Sequence, residues 1–111
     1  MAKQGRQLDT LAQMFRVLGD RTRLRILKTL QDGEINVSAI CARLKSPQPT
    51  VSRHLGILRM AGLVRSRRSG KQIYYSVANG DLSRYAKAMD AFLSGAGAVR
   101  LGPMVMALTG K

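Results

Sequence analysis

At 111 residues the chain amounts to one domain, and a hydrophobic content of 45% suffices for one modest core, which excludes disordered, collagen-like and low-complexity classes. Nineteen Lys and Arg against six acids leave a net charge of +13, which calls for a polyanionic partner, either nucleic acid or an anionic membrane surface. The single cysteine, Cys41, precludes an intramolecular disulfide and suits a reducing cytoplasm, and no apolar stretch is long enough to span a bilayer.

The charged start, Met1 to Arg6, has no apolar stretch behind it, so no signal peptide is expected. Leu8, Leu11, Phe15 and Leu18 recur at helical spacing and predict an amphipathic helix over residues 7–18, ended by Gly19. Asp20 is a good N-cap for a second helix over 21–31, with Leu24, Leu27 and Leu30 as its stripe and Ile26 beside it; Asp32-Gly33 stops it. Residues 34–37 read as a short extended segment. Ser38 then caps a short third helix, Ala39 to Lys45, with Ile40 and Leu44 inward. Ser46-Pro47-Gln48-Pro49 is a tight turn into a fourth helix over 48–61, where proline suits a first turn whose N–H groups have no internal partner. Val51, Leu55 and Leu58 form its inner face, and Gly62 closes it.

The period then changes to that of strands. Residues 63–68 and 72–77 both favour extended structure, and Ser69-Gly70-Lys71 turns the chain between them. Tyr74 and Tyr75 fall on opposite faces of the second strand, so one of them is expected in the core. Asp81 opens a last helix through about Ser94, carrying Leu82, Tyr85, Ala86, Met89, Phe92 and Leu93. Residues 1–94 thus form one unit, and 95–111 a Gly-containing apolar tail that reads equally as a short extra helix or a frayed end.

Two short helices joined by a tight turn and followed by a basic hairpin make a winged helix-turn-helix. The fold class is mostly α with a small β-hairpin (α+β): about five helices and a two-stranded wing. In that geometry the second helix of the pair enters the major groove of DNA and its N-terminal turns meet the base edges. The face opposite Val51, Leu55 and Leu58 offers Gln48, Thr50, Ser52, Arg53 and His54. Gln bonds an adenine edge and Arg a guanine edge in bidentate fashion, while Thr and Ser are short enough for bases or phosphates. His54 is read as a phosphate donor or, alternatively, an ordinary packing histidine. The hairpin tip carries Arg67, Arg68 and Lys71, suited to phosphates or the minor groove. No acid occurs between Glu34 and Asp81, an interval holding eight Lys and Arg.

The run Leu18-Gly19-Asp20-Arg21-Thr22-Arg23-Leu24-Arg25-Ile26-Leu27 resembles the second-helix signature of the ArsR/SmtB family of bacterial repressors. Pro47-Gln48-Pro49-Thr50-Val51-Ser52-Arg53-His54-Leu55, then Leu58, Ala61-Gly62-Leu63-Val64 and the Tyr74-Tyr75 strand, is similar to the family's recognition helix and wing. The resemblance covers roughly residues 8–78. It implies a cytoplasmic homodimer joined through the first and last helices, here Leu8, Leu11, Phe15, Leu82, Tyr85, Met89 and Phe92, on a pseudo-palindromic operator in double-stranded DNA. It also implies repression relieved by an effector; the residues themselves leave open a small organic molecule, a redox signal, a protein partner or none.

The family's usual metal ligands are missing. A Cys-x-Cys pair expected before the third helix is replaced by Glu34-Ile35-Asn36-Val37-Ser38, and the last helix has Asp81 and Asp90 but no His. Neither a metal nor another cofactor is expected. Cys41 reads as a small packed hydrophobe or, alternatively, as a redox site lacking a resolving thiol in its own chain. No phosphate loop, Ser/His/acid spacing or paired carboxylates suggests catalysis. The alternatives to a sequence-specific regulator are a non-specific architectural DNA-binding protein and a membrane-surface binder, the latter disfavoured because lipid requires no helix-turn-helix.

Overall fold

The computed structural model describes residues 2–95, so the apolar tail beyond them lies outside the described residues. Five helices and three strands follow in the order α1 (Ala2–Leu18), α2 (Arg21–Leu30), β1 (Ile35–Asn36), α3 (Val37–Leu44), α4 (Gln48–Met60), β2 (Val64–Ser69), β3 (Gln72–Val77) and α5 (Asn79–Gly95). The sheet is antiparallel in the order β1-β3-β2, so the two-stranded wing expected from sequence gains a short third strand along β3. Ile35 pairs with Tyr75 and Asn36 with Tyr74. The hairpin runs in register from Val64–Val77 to Ser69–Gln72, and Gly70 at φ +63° opens the two-residue turn, a conformation glycine adopts without a Cβ penalty.

Local chemistry sets the helix ends. Asp20 caps α2 as expected, its carboxylate accepting from the Arg23 backbone N–H at 3.1 Å. The α3 cap is Asn36, not Ser38: its side-chain oxygen accepts from the Ala39 N–H at 2.8 Å and draws Val37 and Ser38 into the first turn. The extended segment is correspondingly only Ile35–Asn36. Lys45 ends α3 in the left-handed region at φ 54°, where its N–H and that of Ser46 close the last turn on the Ala42 and Cys41 carbonyls. Arg25 donates to the Leu44 carbonyl at 3.3 Å, satisfying another orphan acceptor at that end.

The core lies where α2, α3, α4 and β2 meet. Ile26, Ile40, Val51, Leu55, Leu58, Leu63 and Val64 are its fully buried members. Burying an aliphatic side chain of this size contributes about 1.5–3 kcal/mol. α1 and α5 pack against each other over Leu11, Met14, Val17, Tyr85 and Met89. The Tyr85 hydroxyl donates to the Ala61 carbonyl at 2.9 Å, tying α5 to the end of α4. Tyr75 packs on the core and Tyr74 on the other face, as their alternation requires.

The apolar residues of α1 and α2 divide between core and surface. On α1 the inward residues are Leu11, Met14 and Val17, while Leu8 and Phe15 remain 52% and 54% exposed. On α2, Ile26, Leu27 and Leu30 are buried and Leu24 is half exposed. The reason is that both helices carry more apolar residues than one face holds, so tertiary contacts choose among them.

Candidate nucleic-acid interface

α3 and α4 form the helix-turn-helix, joined through Lys45, Ser46 and Pro47. α4 starts on Pro47, which makes no side-chain cap, and Pro49 brings no N–H. The Gln48 and Thr50 N–H groups therefore stand at an open, electropositive helix end, suited to an anion. Gln48, Ser52 and Arg53 are exposed around this end and Thr50 is half-buried beside them. Gln48, Ser52 and Arg53 thus point away from the core, with Thr50 at the edge of that face.

His54 does not join them. It is only 5% exposed and shares the inner face with Val51, Leu55 and Leu58. Its Nδ1 lies 3.1 Å from Arg23 Nη1 and 3.9 Å from Asp20 Oδ1. The expectation of a phosphate contact from His54 is corrected accordingly. The physical reason is its spacing: residue 54 falls three after Val51 and four before Leu58, on the same side of a 3.6-residue turn. Burial is the main cause holding the imidazole below its ordinary pKa; Asp20 acts in the opposite direction, and Arg53 and Arg23 lower it further.

The wing is basic and exposed from Arg65 to Lys71. Arg67, however, is already engaged. It donates to both carboxylate oxygens of Glu34, at 3.1 and 2.7 Å, and its guanidinium lies 5.1 Å from the centre of the Tyr74 ring. The hydrogen bond from Arg67 is the main cause of a lowered Glu34 pKa, and Glu34 in turn raises that of Arg67. Arg68 and Lys71 sit at the hairpin tip, Arg68 donating to the Gly70 carbonyl at 3.4 Å. The wing thus presents Arg65, Arg68 and Lys71 outright, and Arg67 only through a competing carboxylate. Sequence reading missed Glu34 because it lies 33 residues from its partner.

The seven residues expected to join two protomers divide. Leu8, Phe15 and Phe92 are exposed and available. Leu11, Tyr85 and Met89 are buried inside the single chain, where they hold α1 to α5, and Tyr85 and Met89 also line the apolar groove beside Phe15. The Leu82 side chain lies outside the described residues. Cys41 is half-buried against the core. Among the described residues no three His, Cys, Asp or Glu side chains gather as a metal would require, and no helix is long and apolar enough to cross a membrane.

Comparison with known proteins agrees with this architecture. The model of the arsR family of bacterial regulatory proteins matches residues 20–66. The HTH-type transcriptional regulator KmtR of Mycobacterium tuberculosis is 42% identical over 73 residues, which cover 66% of this chain and 56% of that protein. The match therefore spans little more than half the length of that relative. An uncharacterized HTH-type transcriptional regulator of Methanocaldococcus jannaschii is 41% identical over 83 residues, covering 74% of this chain and 93% of its own length. Among solved structures, the homodimeric winged helix-turn-helix DNA-binding domain of a possible ArsR-family regulator from Mycobacterium bovis superposes with a TM-score of 0.68 at 31% identity, over 91% of this chain and 90% of that one. By sequence and by fold, this chain belongs to the ArsR family of bacterial regulatory proteins, which are transcriptional regulators and not enzymes.

Proposed function

We propose that this protein is a homodimeric, sequence-specific DNA-binding repressor acting in the cytoplasm. The observation that carries the reading is the outward face of α4, where Gln48, Thr50, Ser52 and Arg53 surround an open helix end beside a basic wing. Two such helices related by a twofold axis dock in successive major grooves, about 10 base pairs apart, on a pseudo-palindromic operator. Bound there, the dimer blocks polymerase. The wing cations Arg68 and Lys71, with Arg67 when Glu34 yields it, contact phosphates or the minor groove. Residues 1–94 carry both DNA binding and dimerisation. Any relief of repression falls to a small organic molecule, a protein partner or a redox signal at Cys41 rather than to a metal at the family's usual sites. The M. bovis neighbour, itself a homodimeric DNA-binding domain, supports the assembly.

The test is fluorescence anisotropy on DNA from the gene's own promoter beside a scrambled duplex, near physiological salt. The promoter duplex is expected to bind about 10³-fold more tightly, two protomers per site. The double substitution Thr50→Ala, Arg53→Ala is expected to lower promoter affinity at least tenfold, about the worth of one bidentate base contact, while leaving weak binding to the scrambled duplex. Equal affinity for both duplexes favours a non-specific architectural role, consistent with a net charge of +13. Binding to neither overturns the reading.

A further inference from the structure

One guanidinium spans three helices. Arg23 is rooted on α2; its Nε donates to the Val17 carbonyl and its Nη2 to the Arg16 carbonyl at 3.2 Å, both at the end of α1. Its Nη1 lies 3.1 Å from His54 Nδ1 on α4. A guanidinium has donors only, so Nδ1 must be the unprotonated, accepting nitrogen and the neutral ring carries its proton on Nε2. That proton then faces Arg53 Nη2 at 3.4 Å, donor against donor, so the ring gives Arg53 no hydrogen bond. The inner side of α4 is thus tied to the end of α1 by a single acceptor, and the next side chain along, Arg53, is one of those aimed outward.

We propose that the Arg23–His54 hydrogen bond is a strut that sets the recognition helix against the end of α1, and that the neutral imidazole is the form competent for sequence-specific DNA binding. His54 is therefore a positioning residue: it acts through the placement of α4 and touches no base. The DNA half of the inference rests on the function proposed above; the strut itself does not.

The charged groups facing the ring are Asp20 in the turn before α2, Arg23 on α2 and Arg53 on α4. Protonation at Nδ1 sets an N–H against the Arg23 donor. The nearest alternative acceptor is Asp20 Oδ1, 3.9 Å away, which already accepts from the Arg23 backbone N–H. The ring turns to Asp20 and the tie between α4 and α1 is lost. Because the folded imidazole titrates below its unfolded value of about 6.5, its neutral form and the stability linked to it are complete above that pH, and are lost as pH falls through the lowered folded value. A histidine that simply added charge at the DNA surface would do the reverse, tightening binding on protonation.

The chain has one histidine, so its ring nitrogens are assigned without ambiguity. The experiment records ¹⁵N NMR of the imidazole and of the Arg23 Nε–H in the free full-length protein over about pH 5–8, the range in which histidine titrates. Anisotropy on promoter and scrambled duplexes is run in parallel, for wild type, His54→Gln and His54→Leu. Gln keeps an acceptor oxygen but does not titrate; Leu keeps the burial and loses the acceptor. The expected result is an unprotonated Nδ1 at neutral pH, titrating below the ordinary value with the Arg23 Nε–H shifting in step. Promoter-over-scrambled selectivity falls about tenfold as the ring titrates, the scale of one misaligned base contact. His54→Gln holds its selectivity constant with pH, and His54→Leu has low selectivity throughout while remaining folded by circular dichroism. A protonated Nδ1 at neutral pH overturns the strut. Selectivity that rises on acidification, or that follows the same course in His54→Gln as in wild type, overturns its role in DNA binding. A wild type without selectivity at any pH overturns the operator reading and that role with it, while the strut is still decided by the ring-nitrogen titration.

Discussion

Asn36 holds two jobs within one residue: its backbone pairs with Tyr74 in the sheet and its side chain caps α3. Asn36→Ala is expected to lower stability by about 1 kcal/mol, the usual worth of an N-cap, whereas Ser38→Ala is expected to change it by less than about 0.5 kcal/mol. Urea unfolding at fixed protein concentration reads both, and a larger loss at Ser38 would return the cap to that residue. Ser38 is an attractive cap in the sequence because Ser is a favoured type and an apolar stretch follows. Nothing local distinguishes it from Asn36; the choice is made by β1, which holds residue 36 extended at the edge of β3. His54 teaches a different lesson. Its position between Val51 and Leu58 was legible at helical spacing, but its polarity suggested the outer face. Arg23, 31 residues earlier, supplies the buried partner that makes an inward histidine tolerable.

At the scale of elements, the wing is a latched hairpin. Glu34 lies just before β1 and Arg67 on β2, with β3 between them, so their ion pair crosses the whole sheet. Both side chains are exposed, and such pairs add little to stability. Its consequence is for charge: one of the wing's four cations from Arg65 to Lys71 is neutralised within the chain. Glu34→Gln is expected to release Arg67 to phosphate, strengthening DNA binding at low salt. The slope of log K against log salt should steepen by about 0.9 for each wing that gains a phosphate contact. Anisotropy titrations from low to physiological salt measure it; an unchanged slope would mean that Arg67 already trades Glu34 for phosphate when DNA binds. The helices follow a simpler logic. α4 has one apolar face and was placed within a residue from sequence alone, whereas α1 carries apolar residues on two sides, and spacing alone does not say which of them meets the core.

For the whole molecule, Leu8, Phe15 and Phe92 remain on the surface of a single chain, and Phe15 also borders an apolar groove of about 360 Å³ between α1 and α5. An exposed aromatic beside an apolar groove suits a second copy of the chain. Phe15→Asp is expected to shift sedimentation from dimer towards monomer while leaving the circular dichroism of the fold unchanged, since this side chain is not part of the core. On the pseudo-palindromic operator proposed above, affinity is expected to fall with it, because each protomer would then reach one half-site alone. A substituted protein that remains dimeric would place the interface elsewhere.

Helix order, the cap at Asp20, the outward Gln48, Ser52 and Arg53, and the basic hairpin were determined by the sequence itself. Each is written within a few turns of chain, in spacing, capping chemistry and turn residues. Five features were decided only by tertiary structure: the third strand along β3, the choice of Asn36 over Ser38 to cap α3, the burial of His54 under Arg23, the capture of Arg67 by Glu34, and the division of the α1 residues between core and surface. All five depend on residues that are distant in sequence or choose between equally apolar positions. Local propensity carries no information about such partners. Burial and hydrogen bonding, which act through space, do.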